Sequence, residues 1–177
     1  MKRLTLAVFG LLLTAGCSSS SSTPSTTQAG TTTTRFTATL SPAQEAPTPI
    51  SGPEAAGSGT STMDFNITRD ASGAITAATV NFTVTMQGFP ATTVVNIAHI
   101  HTGATGVAGP ILVNTTVNAG EVVLTNGAGT FTRVAVPITP NTAATMQSIL
   151  DNPAGFYFNV HTAANPGGVM RGQLVKQ

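Results

Sequence analysis

The sequence predicts an all-β domain: an immunoglobulin-like antiparallel β-sandwich or barrel with one short helix near residues 141–150. Three observations carry that prediction. From Arg35 onward β-branched and small residues dominate, while the helix formers Lys and Glu are scarce. Short runs of alternating apolar and polar residues recur along the chain. Gly, Pro and Asn separate those runs in the manner of a sandwich or barrel.

An export segment, residues 1–16, comes first. Lys2 and Arg3 form a positive head, Leu4 to Leu13 an apolar run interrupted by Thr5 and Gly10, and Ala15 and Gly16 precede Cys17. The run falls short of the ~20 apolar residues that a spanning helix needs. Cys17 is the single cysteine, so no disulfide forms within the chain. LTAGC resembles the lipobox of bacterial lipoproteins, with Thr14 where leucine is usual. The resemblance implies that Cys17 is lipidated and becomes the new N-terminus, held to a membrane at about 0.8 kcal/mol per buried CH₂. The alternative is an ordinary signal peptide that leaves a free thiol. With Ser18 after the cysteine, the expected location is the bacterial cell envelope, at the outer membrane or cell surface.

The Ser/Thr-rich stretch that follows, to residue 34, has no charge, aromatic or large apolar side chain. With nothing to bury, it reads as a flexible tether whose composition also permits O-glycosylation. Residues 35–177 are enough for one domain around one core. Loss of Lys2 and Arg3 takes seven basic residues to five against six acidic, a formal charge of −1. That balance excludes a basic footprint for nucleic acid and a polybasic patch for anionic lipid.

Within the domain, residues 35–41 form the first strand, stopped by Pro42. Residues 59–69 alternate Met63, Phe65 and Ile67 with polar neighbours, and Asp70–Gly73 turns them into a strand over 74–86. A strand at 94–101 holds two of the three histidines, and another follows at 111–117. Residues 121–138 read as a second hairpin with Asn126 and Gly127 near its tip. The helix takes Asn141 as N-cap, Met146, Ile149 and Leu150 as apolar face, and Pro153 as stop. Residues 156–163 and 169–175 supply the last strands.

The segments FTATLSPAQEAPTPISGPEAAGSGTSTM, AHIHTGATGVAGPILV and NPAGFYFNVHTAANPGGVMRGQL together resemble a CHRD domain, over nearly all of residues 35–177. The chain departs from the commoner Glu-x-Pro-Pro form, reading Glu45-Ala46-Pro47-Thr48. The resemblance implies an immunoglobulin-like β-barrel distantly similar to copper/zinc superoxide dismutases. By that similarity Arg171, near the C-terminus after a Gly-rich turn, would attract a small anion beside a metal.

The histidines are the chemistry-bearing feature. His99 and His101 stand two apart on one strand, so they project to one side with Cβ atoms about 6.5–7 Å apart. His161 from a neighbouring strand would complete a three-nitrogen set suited to copper or zinc. A dismutase would need more. There is no fourth histidine to bridge two metals, the aspartates Asp64, Asp70 and Asp151 are scattered, and no cysteine pair braces a loop. A second reading makes His99, His101, His161, Glu45 and Arg171 a structural polar cluster under the Gly-rich turns, with Arg171 and Glu45 as a charge-assisted pair. Alternation puts Val95, Ile97, His99 and His101 on one face, and Tyr157, Asn159 and His161 opposite Phe156, Phe158 and Val160. On that count the histidines meet only where a barrel closes or strand ends converge.

No G-x-S-x-G elbow, phosphate-binding G-x-x-x-x-G-K or paired carboxylates are present. The expected function is therefore a non-catalytic binding or interaction module with an extracytoplasmic protein or ligand as partner. The alternative is a copper-binding, dismutase-like protein.

Overall fold

The structure is a computed structural model that describes residues 29–177. The expected export segment, Cys17 and the expected tether up to residue 28 lie outside the described residues. In chain order the strands are β1 (Gly30–Leu40), β2 (Ser58–Arg69), β3 (Ile75–Gln87), β4 (Val94–Thr102), β5 (Ile111–Asn114), β6 (Val122–Val123), β7 (Gly129–Pro137), β8 (Phe156–Thr162), β9 (Met170–Gln173) and β10 (Val175–Lys176). One helix, α1 (Thr142–Asp151), lies between β7 and β8.

Two antiparallel sheets face each other. The first runs β10-β1-β2-β3-β7, and the second runs β5-β4-β8-β9 with β6 added to β4. This is a sandwich and not a closed barrel. Inward positions on β1, β2 and β3 alternate strictly, so Phe36, Met63, Phe65, Val80 and Phe82 all reach the core. Phe36 meets Phe65 edge-on at 5.4 Å, and Phe82 meets Phe158 of the other sheet at 5.8 Å. The second of these contacts joins the two layers.

The β2–β3 hairpin forms as its sequence implies. Asp70 Oδ1 accepts hydrogen bonds from the backbone of Ser72 and Ala74 and from the Ser72 hydroxyl, which fixes the turn. Helix α1 begins one residue later than expected and packs Met146 and Ile149 inward against β3. Asn141 occupies the N-cap position in a left-handed conformation, without a side-chain capping bond.

Four expectations need correction. Residues 30–34, assigned to the tether, are the first half of β1. Their β-branched threonines pair with β2, and Thr31 and Thr33 hydrogen-bond Thr68 and Asn66 across the ladder. The strand at 111–117 stops at Asn114, whose side chain accepts from the Thr116 backbone and turns the chain. The turn at Asn126-Gly127 exists, with both residues at positive φ, but its arms do not pair as a hairpin beyond a single Thr125–Ala128 bridge. Instead β6 joins β4 and β7 joins β3, so this turn carries the chain from one sheet to the other. Likewise residues 169–175 split at buried Leu174 into β9 of the second sheet and β10 of the first.

Candidate metal centre

The three histidines share the outer face of the second sheet. The parity that alternation implied fails at one point, a bulge in β4 between Val95 and Ile97, where the register against β8 shifts. One extra residue exchanges the faces of everything beyond it. Val95, Ala98 and Ile100 therefore enter the core, while His99 and His101 turn outward. Across the ladder His99 lies opposite Asn159, His101 opposite Tyr157, and Ile97 opposite His161. The histidines thus meet in mid-sheet, with no barrel closure required.

Loops then bury this face. His99 is 2% exposed, and His101 and His161 are each 7% exposed. The loop after β4 covers His101, whose Nδ1–H donates to the Gly109 carbonyl at 2.9 Å. The loop after β8 covers His161, whose Nδ1–H donates to the Pro166 carbonyl at 2.9 Å. A carbonyl only accepts, so each bond puts the proton on Nδ1 and leaves the Nε2 lone pair free. Gly109 is held against the strand end so closely that an added Cβ would stand 1.8 Å from the Thr102 carbonyl oxygen. Only glycine brings that carbonyl to His101.

The three rings converge, and each carries a nitrogen without a partner. His101 Nε2, His161 Nε2 and His99 Nδ1 are buried and lack a hydrogen-bond partner. One nitrogen from each ring lies within 4.8 Å of the other two. Metal–imidazole bonds of about 2.05 Å place nitrogens roughly 3.3 Å apart in a tetrahedron. Small rotations of the rings would close that difference. Three buried lone pairs left unpaired together would each forfeit about 1–3 kcal/mol. A metal ion relieves all three, so the residues fit such a group. The carbonyls behind His101 and His161 are the kind of hydrogen-bond acceptor that orients an imidazole for a metal.

Burial also keeps the rings neutral. It lowers His99 to about 4, with the charges of His161 and then His101 adding to the effect. Burial lowers His101 too, against the opposing bond to Gly109, and lowers His161 against its bond to Pro166. Neutral imidazole is the ligating form.

Beside the triad stands a stack. Tyr157 lies flat on His101, ring centroids 4.8 Å apart and planes 5° off parallel. The Arg171 guanidinium covers Tyr157, 3.4 Å from its centroid. Arg171 is 1% exposed and donates to the carbonyls of Val107 and Ala104 and to Gln173 Oε1. It therefore ties the loop over His101 to β9. Among the described residues it makes no ion pair with Glu45.

Glu45 lies close by, packed with Asn159 against Gly168, where an added Cβ would stand 2.9 Å from its Oε2. Burial raises its carboxyl to about 7, opposed by the Arg171 charge, the Ala46 backbone and the Asn159 side chain.

A family model described as the CHRD domain matches residues 36–174, most of the chain. The chain belongs to the CHRD domain family. No curated protein and no solved structure matches it. In this CHRD domain the structure brings together His99, His101 and His161, with Arg171 against the stack. Sequence reasoning placed Tyr157 on the face of His161 without joining it to the histidine cluster, and it missed Gln173. Their signal was the two-residue period of β8 and β9, in which Tyr157, Asn159 and His161, and then Arg171 and Gln173, share one face.

Proposed function

We propose that this chain is a lipid-anchored CHRD protein of the bacterial envelope whose folded domain binds one transition-metal ion through His99, His101 and His161. The observation that carries the reading is the convergence of three buried imidazoles, each with a partnerless nitrogen and two of them in a tautomer fixed by backbone carbonyls. An imidazole set without thiolate or carboxylate suits copper or zinc, and divalent copper heads the general affinity order. Bound copper would supply one-electron redox chemistry. The protein's own contribution is to hold three neutral nitrogens in place and to keep bulk water away from them.

A binding role is favoured over a dismutase-like one by Arg171. Its buried guanidinium is engaged by loop carbonyls and by the Tyr157 ring, which suits a brace more than an anion guide. Lipidation of Cys17 would keep this binding module at a membrane surface.

The test is metal uptake by the purified protein and by His101→Ala, followed by calorimetry with copper and zinc. The reading expects one ion per chain, with affinity at least a hundredfold weaker in the variant. Equal uptake by both proteins would contradict it. The anchor is tested separately, by the mass of the mature N-terminus with Cys17 and with Cys17→Ser.

A further inference from the structure

A second feature lies apart from the histidines. A cleft of about 530 Å³ opens between the loop before β2 and the loop before β4, walled by Pro53, Pro90, Val94 and Ala163. Its volume is within the range of small-molecule sites. Its charged group is Glu54, 4% exposed, and buried Thr93 also lines it. Glu54 Oε2 accepts from the Thr162 hydroxyl at 2.7 Å and from the Asn165 side-chain amide at 2.5 Å. Asn165 in turn donates its backbone N–H to the same Thr162 hydroxyl. The carboxylate is thus fixed in direction by the end of β8 and the loop that follows it.

What it lacks is a cation. Among the described residues Arg35 pairs with Asp64 and Arg133 with Glu121, while Arg69 and Arg171 bond backbone carbonyls. None of these lines the cleft. Both hydrogen bonds to the Glu54 carboxylate go to Oε2, and Oε1 receives none from the described residues. A buried carboxylate without a counter-charge is costly, and the cleft leaves room for one to be supplied from outside.

The surroundings select the kind of cation. A guanidinium pairs best through two parallel bonds to both carboxylate oxygens, and Oε2 already accepts twice. A quaternary ammonium calls for an aromatic cage, and no aromatic residue lines this cleft. A calcium ion needs six to eight oxygen ligands, which one free carboxylate oxygen does not approach. A primary ammonium has three donors on a compact head. One donor suits Glu54 Oε1, the others stay with water at the open mouth, and an alkyl stem suits the proline, valine and alanine walls. We propose that this cleft is a binding site for a primary alkylammonium group, with Glu54 as its counter-ion. The group is carried either by a free alkylamine or by a lysine side chain of a protein partner. The proposal does not depend on the metal centre.

The experiment is an NMR titration of the purified protein with 1,5-diaminopentane, N-acetyl-lysine methylamide and N-acetyl-arginine methylamide. Two variants run beside it. Glu54→Gln keeps an acceptor for Thr162 but removes the charge. Ala164→Leu fills the cleft from an exposed position without touching Glu54. Thermal unfolding confirms that both variants fold. Saturable shifts at the cleft are expected with the two ammonium probes, at least tenfold weaker in each variant and at least fivefold weaker with the arginine probe. Tighter binding of the diamine would identify a free amine as the source, and tighter binding of the lysine amide a protein side chain. Absence of saturable shifts with both ammonium probes, affinities unchanged in Glu54→Gln, or equal binding of the arginine probe would each overturn the proposal.

Discussion

Replacing Glu45 by Gln should change how the stability of the metal-free domain depends on pH. Glu45 is 7% exposed, and burial raises its carboxyl from the ordinary 4.5 to about 7. A group whose folded affinity for protons is raised contributes stability below its unfolded value and loses it as pH rises through the folded one. Glu45 therefore favours the folded state below pH 4.5 and opposes it progressively up to about pH 7. At about 1.4 kcal/mol per tenfold change in proton affinity, the ionised form costs about 3 kcal/mol at pH 8. His99 acts in the opposite sense. Lowered from 6.5 to about 4, it contributes stability above pH 6.5 that is lost as pH falls toward 4. Between pH 8 and pH 5 the Glu45 gain is about 2.5 kcal/mol and the His99 loss about 2 kcal/mol, so the two nearly cancel in the native sequence. In Glu45→Gln only the histidine side remains, with His101 and His161 adding to it in the same direction. The assay is urea unfolding of both chelator-treated proteins at pH 8 and pH 5. The variant's stability relative to the native protein should fall by about 2.5 kcal/mol between those pH values. Parallel stability across that range would refute the reasoning, because it would mean that Glu45 ionises as if exposed.

Other outcomes follow from the same contacts. Phe158→Ala removes the ring that meets Phe82 between the sheets and should cost about 3–5 kcal/mol in urea unfolding. Tyr157→Phe keeps the stack on His101 but deletes the hydroxyl that accepts from the Gly109 N–H, for a loss of about 1 kcal/mol and a small loss of metal affinity by calorimetry. Gly109→Ala drives a methyl into the Thr102 carbonyl and displaces the acceptor of His101, so copper uptake should fall at least tenfold while circular dichroism still reports a β-sheet protein. Copper held at a hundred times its dissociation constant should stabilise the domain by about 2.7 kcal/mol, and a chelator should reverse the shift in melting temperature.

The sandwich was legible in the sequence because its strands advertise themselves locally. Met63, Phe65 and Ile67 alternate with polar residues, and Asp70 marks its own turn. The connections were less legible. Residues 30–34 carry only threonine and glycine, which look like linker until β2 is there to pair with them. Asn126-Gly127 fixes a turn but not the partners of its arms, which depend on sheet edges that no local signal names. The histidine spacing identified the candidate ligands. Their meeting point did not follow from it, because one bulged residue at Asn96 exchanges the two faces of β4. The carbonyls of Gly109 and Pro166, which set the tautomers, belong to loops and leave no trace in side-chain chemistry. Gly109 was visible only as one more glycine in a turn.

The most direct test of the metal assignment is X-ray absorption at the copper edge of the copper-loaded protein, compared with His161→Ala. The account predicts three nitrogen scatterers at about 2.0–2.1 Å with the outer-shell pattern of imidazole rings, falling to two in the variant. Copper bound mainly by oxygen, or a first shell that is the same in both proteins, would contradict it.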